Sequence, residues 1–226
     1  MIVAVHQPQY LPWLGYFEKI ARADHFVLLD IVQYKKNEFQ NRNKIKTAQG
    51  WQWLTVPARY KFPMTIAEVP INNDIHWRNK HRQALVSNYT KTPFFSDYRS
   101  QFESLLDTEW QQLTDINKAT IDLIVRALGI TTPIEDPKAW DLSDDPTGRL
   151  VDMCKHLNAD TYLAGAGGHD YMDLAQFDAA GIRVEFQSFT HPTYPQQFGD
   201  FEPYMSAIDL LFNCGPESHD ILLNQQ

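Results

Sequence analysis

The stretch Ile2-Val3-Ala4-Val5-His6-Gln7-Pro8-Gln9-Tyr10-Leu11-Pro12-Trp13-Leu14-Gly15-Tyr16-Phe17-Glu18-Lys19-Ile20, followed by Phe26-Val27-Leu28-Leu29-Asp30, decides the fold. A short apolar run stops at a histidine. A turn rich in proline and aromatics follows, then a glycine, an amphipathic segment and a second apolar run that stops at an aspartate. This pattern is a buried strand, a loop at its carboxyl end, a helix and a second strand. In open α/β sheets ligands bind beyond the carboxyl ends of strands. His6, Gln7, Tyr10, Trp13, Tyr16 and Lys19 therefore gather where a site is expected.

Working outward, the chain continues in three regions. As far as Pro70 it is strand-rich: Ile31 to Tyr34 extends or bends the second strand, Asn41 to Lys46 and Trp51 to Pro57 flank a Gln49-Gly50 turn, and Ile66 to Ile71 reads as a further short strand. From Trp77 to about Leu128 the period is helical, with helices expected over 81–89, 97–106 and 114–128, the last closed by Gly129. The remainder returns to α/β, with helices over 148–157, 172–180 and 206–213 and strands over 161–165 and 182–186. These segments predict one α/β domain over 1–226, with a mainly parallel sheet and a helical insertion at about 77–128.

Composition narrows the function. The 226 residues carry a formal charge of −8, which argues against a general nucleic-acid binder. No apolar run approaches the roughly 20 residues of a membrane span, and no basic n-region or cleavage site marks a signal peptide, so a cytoplasmic protein is expected. Cys154 and Cys214 form no CxxC pair and the eight histidines show no ligand spacing, so no metal site is expected.

Each candidate has a plain alternative. His6 is read as a general base or a phosphate-holding cation; otherwise it is a strand-end histidine bonded to backbone. Tyr10, Trp13 and Tyr16 stack on a sugar or base ring, or pack the core. Lys19 reaches a phosphate or lies on a solvated helix face. Arg42, Lys44 and Lys46 belong to a local basic segment suited to phosphate or carboxylate oxygens, or they blunt an edge strand. Gly165-Ala166-Gly167-Gly168-His169-Asp170 follows a strand, so its amides suit an anion, although many such loops are only tight turns. His169 and Asp170 pair only through a favourable turn. Asp209, on an apolar helix, reads as a buried bonding partner.

His6-Gln7-Pro8-x-Tyr10-x-Pro12-Trp13-x-Gly15-Tyr16-Phe17 resembles the opening signature of the WbqC-like family. The similarity extends through Asp30, Gln33, Tyr34, Asn43, Lys46, Trp53, Thr55, Pro57, the Gly165-x-Gly167-Gly168 loop, Phe198, Ser206, Asp209, Leu210, Asn213 and Gly215. The resemblance implies a role in making an O-antigen or other surface polysaccharide, with Asp30 and Gln33 joining the candidate ligand-binding residues. A second resemblance is to the nucleotidyltransferase superfamily, a HUP-type sandwich that includes pantothenate synthetase. There an HxGH loop holds ATP; here Trp13-Leu14-Gly15-Tyr16 keeps the glycine and lacks both histidines. The expected activity is a transferase or amide-forming ligase that N-acylates an activated, nucleotide-linked amino sugar, with ATP or a nucleotide-sugar as the bound nucleotide. A non-catalytic binding or scaffold protein of the same pathway and a glycosyltransferase are the other readings. In the expected mechanism the Gly167-Gly168 amides, with Arg42, Lys44 or Lys46, hold anionic groups while His6 faces the reacting group.

Overall fold

In the computed structural model, which describes residues 1–223, Ile2–His6 forms the central strand β1. Val3, Ala4 and Val5 are buried on both faces, as expected of a parallel sheet covered on both sides. The chain then forms helix α1 (Leu14–Arg22) and strand β2 (His25–Leu28). β2 pairs parallel to β1, with Val3 opposite His25 and His6 opposite Leu28. On the other side β1 pairs parallel to β6 (Thr161–Ala164), which pairs parallel to β7 (Arg183–Phe186). A two-residue strand, β5 (Ile134–Glu135), joins β2. The five-stranded sheet runs β5-β2-β1-β6-β7, all parallel.

By its contacts the chain divides into two units. The first comprises Met1–Gln7, Gly15–Ile31 and Thr131–Thr190, and it holds this sheet. Its core is Val3, Val5, Val27, Tyr162 and Ala164 from the sheet, with Leu150, Val151, Met153 and Cys154 of helix α5 (Pro146–His156) and Phe177 of helix α6 (Leu174–Ala179). Asp145 caps α5 by accepting from the Gly148 amide at 2.7 Å. Asp173 caps α6 by accepting from the Ala175 amide at 3.1 Å, so the helix starts two residues later than its apolar pattern suggests. Burial pushes the Cys154 thiol up to about 12, as an inert core cysteine requires.

The second unit comprises Pro8–Leu14, Val32–Ile130 and the chain from His191 onward. Its hairpin pairs β3 (Arg42–Thr47) with β4 (Gly50–Thr55) in antiparallel register, with Thr47 opposite Gly50. Helices α2 (Trp77–Tyr89), α3 (Phe95–Asp107), α4 (Leu113–Ala127), α7 (Ala207–Cys214) and α8 (Ser218–Leu223) complete it. α2 buries Trp77, His81, Leu85 and Tyr89, four positions at helical spacing. α4 ends at Gly129, whose φ of +64° lets its amide reach the Arg126 carbonyl at 3.1 Å. The strand expected at 66–71 is instead a 3₁₀ turn over Ile66–Glu68. Glu68 Oε2 accepts from the Thr65 amide at 2.7 Å and its hydroxyl at 2.9 Å, a capping arrangement that curls the backbone. Pro63 and Pro70 at its flanks lack the N–H a ladder needs.

Phe212 of α7 anchors this core, with the rings of Tyr89, Phe95 and Phe102 edge-on at 5.1, 5.1 and 5.3 Å. Gly215 ends α7 at φ +52°, and a Cβ there would run into the Phe94 ring. Gly215→Ala is therefore expected to cost about 2–4 kcal/mol from left-handed strain plus overpacking. A urea titration checks this as a lowered midpoint with an unchanged slope.

Candidate functional site

From β1 the crossovers step through β2 to β5, whereas β6 and β7 lie on its other side. The direction of winding thus reverses between β1 and β6, and a crevice opens at the carboxyl ends of those two strands. A cavity of about 340 Å³ lies there, entirely within the first unit. β1 and its end supply Val5, His6 and Gln7, and α1 supplies Lys19. Leu29, Leu150 and Tyr162 form apolar walls, and the loop after β6 contributes Gly165, Gly167, Gly168 and Tyr171.

His6 is half-buried. Its Nδ1–H donates to the Gln7 carbonyl at 3.0 Å, and its ring packs edge-on against Tyr16 at 4.8 Å. The Tyr16 hydroxyl donates to the same carbonyl at 3.2 Å. With Nδ1 carrying the proton, Nε2 is left with its lone pair. Burial, reinforced by the Lys19 charge, lowers the imidazole pKa to about 4, so the ring is a neutral base at pH near 7. Lys19 is 2% exposed; its Nζ donates to the Val5 carbonyl at 3.0 Å. Burial lowers its pKa to about 7, against a smaller pull upward from Glu18.

The glycine loop is built differently from a helix-tipped anion cradle. Ala166–Asp170 is a 3₁₀ turn, and the Gly168 amide donates to the Gly165 carbonyl at 2.9 Å. Gly168 is needed for packing: a Cβ there would come within 2.9 Å of Met172 Cε and 3.2 Å of the Ala164 Cβ. The His169 ring stacks on Phe186 with centroids 3.3 Å apart, and Asp170 is exposed. Asp30 is fully buried and ion-paired to Lys138 Nζ at 3.2 Å, and it does not line the cavity.

The remaining candidates belong to the second unit. The Tyr10 hydroxyl is buried and bonded to His81 Nδ1 at 2.9 Å. The Trp13 ring lies 5.8 Å from Tyr204. Gln33 Nε2 donates to the Met64 carbonyl at 2.9 Å and the Tyr34 carbonyl at 3.1 Å. The Arg42 guanidinium sits 4.4 Å over Trp53 and donates to the Asn37 carbonyl. Lys44 Nζ sits 4.5 Å over Trp51. Lys46 is buried, its ammonium donating to Gln196 Oε1 at 3.1 Å and to the Asp200 carbonyl. A groove of about 540 Å³ beside β4 and α2 is larger than the switch-point cavity. Its histidine, His81, is spent on Tyr10 and, through Nε2, on the Thr55 carbonyl at 3.1 Å. Of these two cavities, the smaller combines a base that has an available lone pair with a strand-order reversal.

His6, Gln7, Lys19, Gly165, Gly167 and Gly168 are thus brought together at one cavity, with Tyr16 behind His6. Tyr162 and Tyr171 line it too and were not singled out from the sequence; the adjacency of Tyr171 to the glycine loop was the available signal. No group of histidine, cysteine, aspartate and glutamate suited to a metal occurs among the described residues. No helix among them is long and apolar enough to cross a membrane.

Comparison with known proteins agrees with the opening signature. The uncharacterized protein Rv1507c of Mycobacterium tuberculosis is 37% identical over 224 residues, covering 97% of this chain and 96% of that one. No solved structure matches the chain significantly. The model of the WbqC-like protein family matches residues 7–221; the chain belongs to the WbqC-like protein family.

Proposed function

We propose that the protein is a transferase that N-acylates an activated amino sugar during synthesis of a surface polysaccharide, in the cytoplasm, with His6 as general base. The observation that carries this reading is a neutral imidazole, its Nε2 lone pair available, at the switch point of a parallel sheet. As the sugar amine attacks an activated acyl carbon, the new N–C bond forms, the bond to the donor's leaving group breaks, and Nε2 takes the amine proton. Lys19 and the glycine loop bind the substrate, and Tyr16 holds the His6 ring. The cavity of about 340 Å³ suits the reacting sugar and an adjoining anionic group rather than a whole nucleotide-sugar, since it is at the small end of ligand sites.

The order β5-β2-β1-β6-β7 supports reading the first unit as a nucleotidyltransferase-like sandwich. Tyr16, in the register of the second HxGH histidine, lies against His6, which supports His6 as the substitute for the missing imidazoles. The family match runs through both units, which supports 1–226 acting as one functional module with 77–128 as a helical insertion.

The test is a thermal-shift screen with nucleotide-linked amino sugars, acyl donors and ATP. The expected result is a rise in Tm with a nucleotide-linked amino sugar, since a ligand at a hundred times its Kd stabilises by about 2.7 kcal/mol. Should no sugar, acyl donor or nucleotide shift the transition, the transferase reading fails and a scaffold role replaces it.

A further inference from the structure

We infer that Lys19 is the receptor for an anionic group of the ligand, a phosphate or a carboxylate, and that the cavity takes up a proton when this group binds. This rests on the cavity being the substrate site, and not on the transfer chemistry assigned to His6.

The geometry is specific. Lys19 lies on α1, a helix buried on most of its surface, and its side chain is 2% exposed while lining the cavity. The Nζ has one acceptor, the Val5 carbonyl at 3.0 Å, and no ion pair to Lys19 occurs among the described residues. An ammonium has three protons to donate, and a buried charge without a counter-charge is costly. The groups around it supply no ion-pair partner, and Glu18 acts on it only as the smaller upward pull. His6 on β1 is neutral and would repel as a cation. Leu29 and Leu150 are apolar. Burial holds Tyr16, Tyr162 and Tyr171 above the usual tyrosine range, so all three stay neutral. Glu18, the neighbour on the same helix, is bonded to Arg22 at 3.5 Å and to Gln187. A ligand anion would supply the counter-charge that the ammonium form lacks here.

Proton linkage follows from the same arrangement. With a pKa of about 7, the free amine is largely neutral at about pH 8, and an anion beside it restores the charged form. Binding at that pH therefore draws nearly one proton from the buffer.

The experiment is isothermal titration of the full chain at about pH 8 with inorganic pyrophosphate, and separately with acetate, each in two buffers of different ionisation heat. The expected result is binding of at least one anion with a buffer-dependent heat equal to uptake of close to one proton; the tighter of the two identifies phosphate or carboxylate as the group. Lys19→Met should weaken that binding at least tenfold. Lys19→Arg, which stays charged at every pH, should bind but take up no proton. This second variant decides the matter if Lys19→Met fails to fold. Lys155→Met, an exposed position on α5, should change nothing. Equal heats in the two buffers for the unmodified chain, unchanged binding by Lys19→Met, or no binding of either anion at about 10 mM, far above the Kd of specific sites, would overturn the inference. His6→Ala separates the two readings: retained binding and proton uptake in a variant without turnover leave Lys19 as the receptor, whatever the reaction.

Discussion

Replacing His6 with alanine is expected to lower turnover of the proposed amino-sugar substrate by about 10²–10⁴-fold, the usual contribution of a positioned general base. KM should change little if, as proposed, Lys19 and the glycine loop hold the substrate. The pH profile carries the sharper signature. In the proposed mechanism His6 must be neutral and Lys19 charged; the His6 pKa of about 4 places the acid limb of kcat/KM there. The Lys19 pKa of about 7 places the alkaline limb near neutrality. Activity should therefore fall below about pH 4 as His6 gains its proton, and above about pH 7 as Lys19 loses its own. His6→Ala should erase the acid limb and leave the alkaline one. Turnover within threefold of the unmodified chain would make His6 a structural residue.

The second large effect is expected far along the chain, at Asp209. Its carboxylate is fully buried on α7 and accepts from the Tyr89 hydroxyl at 2.7 Å, the Tyr194 hydroxyl at 2.9 Å and Gln196 Nε2 at 2.6 Å. Gln196 in turn accepts from Lys46 Nζ at 3.1 Å. Burial raises the Asp209 pKa, while its three donors and the Lys46 charge pull it back. Removing this acceptor leaves the Tyr89 and Tyr194 hydroxyls without the carboxylate they donate to, leaves Gln196 Nε2 with the Glu202 carbonyl, and takes away the negative charge that acts on Lys46. Asp209→Ala should cost about 3–5 kcal/mol, read as a lowered urea midpoint. The double replacement Lys46→Met with Asp209→Leu should recover part of that loss, because it removes both charges and restores apolar volume. A loss for Asp209→Ala below about 1 kcal/mol would show that the network contributes little.

These two residues also mark what was legible in the sequence. The apolar runs at 2–5, 26–29 and 161–164 read directly as strands, because a parallel sheet covered on both faces leaves continuous hydrophobic stretches. His6 and the 165–168 loop could be placed at strand ends for the same reason. β5 could not be read, since two residues carry no period and Ile134 and Glu135 extend only because β2 offers them a ladder. The 66–71 segment has the composition of a strand, and the Thr65–Glu68 cap, which depends on backbone geometry, makes it a turn. Lys19 was ambiguous because a lysine between Phe17 and Ile20 reads equally as a solvated position; its burial is a property of what packs around α1, not of the helix. Lys46 alternates with Lys44 and Arg42 as a surface strand would, and only the Gln196 side chain and the Asp200 carbonyl, some 150 residues away in sequence, draw it inside. Asp209 itself was foreseeable as a buried acceptor, because an acid amid Ala207, Ile208, Leu210, Leu211 and Phe212 has no solvent to face.

The order of strands also sets a timetable for synthesis. β1 leaves the ribosome well before its neighbour β6, which begins only at Thr161, yet it ends in the middle of the sheet. At elongation rates of about 5–20 residues per second, one edge of β1 waits roughly 10–30 s for its partner. During that interval Ile2, Val3, Ala4 and Val5 form an apolar, unpaired template on the nascent chain, the kind of edge that recruits other strands. Recovery of folded protein should thus depend on translation speed, growth temperature and chaperone supply more steeply than the stability of the finished sheet would suggest.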